Sequence, residues 1–395
     1  MMTRTLSERV VAALRAVLPD DRPEIALHEP LFTGNEWAYV KDCLDTGMVS
    51  SIGGYVDRFE AELSRITGVR HAVAVVNGTA ALHVCLRLVG VQPGDEVLLP
   101  ALTFVATANA VSYCGASPHF VDSEEGSLGV DPIRLEGYLE AIASLRPEGC
   151  FNRQTGRRIK ALVPMHTFGH PVDLDPIADL CERYRLELVE DAAESLGSLY
   201  KGRHTGNWGR MSALSFNGNK LVTTGGGGAI LTSDPELARA AKHLTTTAKL
   251  PHPWAYTHDA IGYNYRLPNL NAALGCAQLE QLDGFLVRKR ALADGYRAAF
   301  AGLEGIRFVT EPSFARSNYW LNTLLLDEAQ ATERDRLLEA TNAAGLMTRP
   351  AWTLMPRLPM FHDCPRMELV VAEGLERRLI NIPSSVWLGE RHVRA

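Results

Sequence analysis

The sequence predicts an α/β fold: a large domain built on a mostly parallel, seven-stranded sheet, followed by a smaller C-terminal α/β domain. Two observations carry this. Between about residues 55 and 280, short apolar runs alternate with stretches of helical periodicity, the pattern of strands joined by crossover helices. After Pro268 that alternation stops, and a long helical stretch leads into a shorter mixed segment. A chain of 395 residues is long enough for two cores.

Taken in order, the N-terminal "MMTRTLSERVVAALRAVLPDD" places Val10, Val11, Leu14 and Leu18 at helical spacing, an amphipathic helix. It has no unbroken apolar core and no small-residue cleavage site, so it does not read as a signal peptide. Seven strands follow: "HAVAVV" (71–76), "DEVLLP" (95–100), "PHFVD" (118–122), "IKALVPM" (159–165), "LELVED" (186–191), "SALSF" (212–216) and "GAILT" (228–232). They are rich in β-branched residues and end in residues that favour loops. Helical stretches such as "GTAALHVCLRLVG" and "DLDPIADLCERYR" separate most of them, so helices should cover both faces. The "GGGG" run leads straight into the last strand, which leaves an antiparallel hairpin open for the final pair. Residues 269–303 read as one long helical bridge. Beyond it "YWLNTLLLD" and "RLINIPSS" read as strands and "ATERDRLLEATNAAG" as a helix. The division is therefore an N-terminal arm with the large domain over 1–285, and a small domain over 286–395.

Bulk composition narrows the function. A formal charge of -6 speaks against nucleic acid or an anionic membrane as partner, because both need a basic face. No apolar run approaches the length of a membrane span. The seven cysteines are scattered, odd in number and without a C-x-x-C pair, which points to free thiols in the cytoplasm and to no thiolate metal site.

In open α/β sheets, ligands bind outside the carboxyl ends of the strands. There the sequence places Gly78 and Thr79 at a helix start, Phe104, His166, Asp191, and Lys220 beside four glycines. Each has a plainer reading: a helix start, a core ring, a loop histidine, a cap, a lysine in a turn. Together they supply a phosphate cradle, a flat apolar ring, a carboxylate for a pyridinium nitrogen and an amine, the requirements of pyridoxal 5'-phosphate. An apolar setting would favour the neutral, nucleophilic form of that amine. The competing P-loop fails because Leu221 follows Lys220, and no G-x-G-x-x-G, H-E-x-x-H or G-x-S-x-G occurs.

Seven motifs in order, "GNEWAYVKDCLDTGMVSSIGGYVDRFE", "NGTAALH", "TFVATANA", "EDAAES", "SFNGNK", "TTGGGG" and "GYNYRLPNLNAALG", resemble the DegT/StrS family of nucleotide-sugar aminotransferases across nearly the whole chain. The resemblance implies the pyridoxal-phosphate-dependent transferase fold of type I, as in aspartate aminotransferase. It makes Lys220 the residue that holds the cofactor covalently and Asp191 the partner of the ring nitrogen. Gly78, Thr79, Ala80 and Ser215 would hold the phosphate, Phe104 would stack on the ring, and Glu194 would lie near its hydroxyl. Asn264 would reach the phosphate of a neighbouring subunit, giving a homodimer with shared sites. Val49, Ser50, Ser51 and His166 would line the sugar side, with Arg266, Lys249 and Arg357 as cations for the pyrophosphate. L-glutamate would be the amino donor, binding in turn with the ketosugar. Dehydrating relatives carry histidine at the lysine position, so Lys220 favours amino transfer over the alternatives of a sugar dehydratase or a non-catalytic homologue. Two positions depart from the commoner pattern: Glu194 replaces glutamine, and Met48 replaces tryptophan. "SFNGNK" and "HLTTTAKLPHPW" most resemble the branch acting on a UDP-linked 4-keto-6-deoxy-N-acetylhexosamine, as in legionaminic-acid synthesis. The alternative substrate is GDP-4-keto-6-deoxymannose, as in GDP-perosamine synthases.

Overall fold

The computed structural model describes residues 5–393. All seven expected strands of the large domain form: β1 (His71–Val75), β2 (Glu96–Pro100), β3 (Ser117–Val121), β4 (Arg158–Leu162), β5 (Glu187–Asp191), β6 (Met211–Ser215) and β7 (Gly228–Thr232). Each is buried along most of its length, as strands covered on both faces must be. Their order across the sheet is β1-β7-β6-β5-β4-β2-β3. Strands β2 to β6 pair parallel, whereas β7 is antiparallel to both β1 and β6. The last pair is thus the hairpin that the sequence left open, with Ser215 opposite Gly228.

Two features differ from expectation. A hairpin of Ala143–Arg146 and Gly149–Asn152 extends the sheet beside β4. Its only sequence signal is the turn "RPEG" between two short runs. The expected single bridge helix is two, Asn269–Leu279 and Leu282–Phe300, interrupted at Glu280 and Gln281. At the break the Glu280 carboxylate accepts from Asn35, Tyr39 and Arg58, contacts that no local pattern announces.

The small domain carries a four-stranded antiparallel sheet in the order Ile306–Phe308, Asn322–Leu326, Leu379–Ile382, Arg349–Pro350, flanked by the expected helix at Arg334–Ala343. The N-terminal helix, Leu6–Val17, is closed by a capping box of Thr5 and Glu8. Its buried Val10 and Leu14 pack with Leu292, Tyr296, Phe300 and Leu324. The arm that the sequence grouped with the large domain therefore shares the small domain's core. Conversely, Leu354, Phe361 and Leu375 pack into the large one. Because β1, β2, β4, β5 and β6 point the same way, their carboxyl ends meet at one edge.

Candidate active site

At that edge lies a cavity of about 380 Å³. Its phosphate corner is built where β1 enters the helix Gly78–Leu88. Asn77 caps this helix, accepting the Ala80 N–H at Oδ1 over 2.8 Å. That bond uses the Ala80 amide, so Ala80 is not a phosphate donor as expected, and it does not line the cavity. Gly78 and Thr79 do line it, and their N–H groups have no partner within the helix. Glycine is required here by close approach. A Cβ on Gly78 would lie 2.9 Å from Ser215 Cβ, and one on Gly228 would lie 2.4 Å from the Asn77 carbonyl carbon. The two glycines let the helix start, β6 and β7 converge, which brings Ser215 to the cavity wall. A helix N-terminus of this kind suits a phosphate.

Asp191, the last residue of β5, is buried. Oδ2 accepts from Thr107 Oγ1 at 2.7 Å and Oδ1 from the Ala193 N–H at 3.2 Å. Burial raises its pKa, which these donors and the nearby Lys220 partly offset. Lys220 reaches the cavity from the loop after β6. Its Nζ stands 3.1 Å from Glu194 Oε1 and 3.7 Å from the centre of the Trp320 ring. The setting is not the wholly apolar one expected, since a carboxylate faces the amine. Glu194 also accepts the Phe168 N–H at Oε2 over 2.9 Å. Burial pushes its pKa up to about 7, against the pull of Lys220.

Phe104 is half exposed at the cavity mouth, not in the core, with its ring centre 6.2 Å from that of Trp352. The sequence reading missed Thr107, Trp320 and Trp352, all of which line the cavity. Thr107 sits in the quoted "TFVATANA", three residues past Phe104 and so on the same helical face. The two tryptophans come from the small domain and carry no local signal.

His166 does not line a sugar site: it is fully buried, 3.1 Å from Glu190 Oε2 through Nε2 and accepting the Val172 N–H at Nδ1. Val49, Ser50 and Ser51 also lie off this cavity, on a loop tied down by Asn269, whose N–H donates to the Ser50 carbonyl at 2.6 Å. Asn264 is exposed, and Arg266 bridges Val75 at the end of β1; neither lines the cavity of its own chain. Of the other two cations, Lys249 lies 3.9 Å over the Tyr256 ring and Arg357 pairs with Glu376.

The set fits pyridoxal phosphate: an amine, a buried carboxylate braced by donors, a helix start with free N–H groups and an accessible ring share one cavity. Comparisons with known proteins agree. Residues 31–395 match the model of the DegT/DnrJ/EryC1/StrS aminotransferase family. The chain is 37% identical over 376 residues to a GDP-perosamine synthase of Caulobacter vibrioides, covering 94% of this chain and 96% of that one. It is 36% identical over 369 residues to a GDP-perosamine synthase of Escherichia coli O157:H7, covering 93% and 95%. DesV of S. venezuelae, solved in complex with a ketimine intermediate, superposes with a TM-score of 0.80 at 32% identity, over 91% of each chain.

Proposed function

Because the chain belongs to the DegT/DnrJ/EryC1/StrS aminotransferase family, as a pyridoxal-phosphate-dependent nucleotide-sugar aminotransferase, we propose that it moves an amino group from L-glutamate to C4 of GDP-4-keto-6-deoxymannose. The observation that carries amino transfer is Lys220, an amine held in the cavity between Glu194 and Trp320. The sugar rests on relatives over a third identical that are named GDP-perosamine synthase. This departs from the UDP-linked N-acetylhexosamine reading. That reading leaned on two short stretches, "SFNGNK" and "HLTTTAKLPHPW", whereas the identity to the GDP-perosamine synthases runs over 366 to 376 residues.

Gly78, Thr79 and Ser215 would hold the cofactor's phosphate, Phe104 its ring face, Asp191 its ring nitrogen and Lys220 its aldehyde carbon. The bound cofactor supplies an electron sink for the carbon that loses a proton. Everything else is work for the chain. Thr107 fixes the Asp191 carboxylate, and a cationic ring nitrogen beside it would favour its ionised form. Lys220 Nζ, free when the amino group has moved to substrate or cofactor, takes a proton from one carbon and returns it to another. Phe104, Trp320 and Trp352 narrow the cavity and exclude water. Donor and acceptor share one cavity and so bind in turn.

We place the enzyme as a homodimer. Asn264 and the Val49–Ser51 loop, both outside their own chain's cavity, would complete the partner's. Comparing kcat/KM for GDP-4-keto-6-deoxymannose and a UDP-linked 4-keto-6-deoxy-N-acetylhexosamine tests the substrate. The GDP sugar should be preferred by about tenfold or more. Clear preference for the UDP sugar overturns the proposal while leaving amino transfer intact.

A further inference from the structure

Glu194 stands where the commoner family pattern has glutamine, and its two oxygens are not equivalent. Oε2 accepts from the Phe168 backbone N–H at 2.9 Å, and a backbone N–H can only donate. Any proton on this carboxyl must therefore sit on Oε1, the oxygen that faces Lys220 Nζ at 3.1 Å. Phe168 is fixed by the Leu321 N–H, which donates to its carbonyl at 3.3 Å, and by the surrounding fold, which imposes a φ of 55° on it. The donor to Oε2 is thus fixed, and with it the carboxyl's orientation.

We propose that Glu194 is the proton acceptor of Lys220. Whenever the lysine carries a free amine, a proton passes from Nζ to Oε1: an N–H bond breaks, an O–H bond forms, and an ion pair becomes a neutral pair. The lone pair on Nζ is then available to attack the cofactor's aldehyde or to take a proton from carbon. Burial favours the neutral pair, because each charge it removes has almost no water around it. It also raises the Glu194 carboxyl to about 7, close enough to working pH for the proton to be held and returned. The other charged groups near the pair are Asp191, at the end of β5, which raises the carboxyl further, and His28, whose ring centre lies 6.5 Å from that of Trp320. Burial holds the His28 imidazole well below its usual range, so it offers no competing charge near neutrality. A glutamine could keep the Phe168 bond but could not take the proton.

The proposal rests on the pyridoxal phosphate site but not on the identity of the sugar, and its test uses no sugar. Apoenzyme is mixed with pyridoxal phosphate, and covalent attachment is followed by absorbance from pH 6 to pH 9. In wild type the attachment rate should level off above neutrality, because the proton leaves Lys220 within the pair. In Glu194→Gln the amine must lose its proton to solvent, so the rate should keep rising with pH over the range in which the wild-type rate is flat. Parallel profiles for the two proteins overturn the proposal; a structural defect alone would lower the rate at every pH. Should the variant not fold, carbon-13 glutamate labelling and infrared titration of wild type decide. A protonated glutamate band that persists from pH 6 through neutrality, as the neutral pair requires, supports the proposal, and its loss at neutrality overturns it.

Discussion

Asp191 keeps its place through two donors, one local in sequence and one distant. The Ala193 N–H follows from the turn after β5, whereas the Thr107 hydroxyl arrives from the helix Val105–Tyr113. Asp191→Asn should fold, since the amide oxygen can still accept the Ala193 N–H and its NH2 can donate to the Thr107 hydroxyl once that hydroxyl turns, yet turnover should fall about a hundredfold or more because an amide cannot balance a charged ring nitrogen. Near-normal kcat in that variant would assign the pairing to another group. Thr107→Val leaves Oδ2 without its donor at nearly constant volume, so a loss of about tenfold in kcat with little change in KM is expected. Glu194 gives a stability signature as well. Its folded-state pKa, raised to about 7 from 4.5, contributes stability that is complete below the unfolded value and is lost as pH rises through 7. Denaturant unfolding of the apoproteins should show wild type losing stability relative to Glu194→Gln between pH 5 and pH 8, by an amount on the order of 3 kcal/mol. No relative change over that window would mean that burial does not hold the carboxyl's proton in the folded state. Lys220 and Asp191 were legible because a strand end and its following loop are local. Trp320 and Trp352 were not, because only the docking of the small domain brings them to the cavity.

The elements were legible for a related reason. A strand buried on both faces must be apolar at nearly every position, so each of the seven announced itself over five to seven residues. The hairpin at 143–152 is partly exposed and short, and the break at Glu280 is set by side chains from the segment around residue 39 and from Arg58. The members of the glycine run do different work in the structure. Gly228 cannot carry a Cβ without meeting the Asn77 carbonyl carbon at 2.4 Å and the Gly78 nitrogen at 2.7 Å, both of them backbone. Gly226, two residues earlier, has nothing within 4 Å of such an atom. Gly228→Ala should therefore displace the helix start. It should lower Tm by several degrees and weaken cofactor retention about tenfold, read from dialysis and absorbance. Gly226→Ala is the control and should leave both within error; equal effects in the two variants would refute the close-approach account.

At the scale of the molecule, two cores account for the fold, but a single chain leaves large apolar side chains in water. Trp37 and Ile52 flank the loop of Val49–Ser51, and Trp254, Tyr256 and Ile261 lead up to Asn264; each is at least 67% exposed. Both segments proposed to cross between subunits thus carry surface that a partner would cover, and both lie outside their own chain's cavity. Among the described residues no helix is long and apolar enough to cross a membrane, so a bilayer-spanning segment is not what that surface serves. A second copy related by a two-fold axis would bury the same patches on both sides and place each Asn264 at the other chain's phosphate corner. Mixing tests this without a structure. A Lys220→Ala chain lacks the amine in its own site, and an Asn264→Leu chain spoils its partner's site, so each homodimer should be nearly inactive. In a mixed dimer the site built on the Asn264→Leu chain keeps its own Lys220 and receives an intact Asn264 from the other chain. Random re-pairing of equal amounts makes about half of the dimers mixed, each with one intact site of two, so activity should recover to about a quarter of wild type. Mixed dimers verified by differential tags but showing no recovery would place Asn264 outside the shared site.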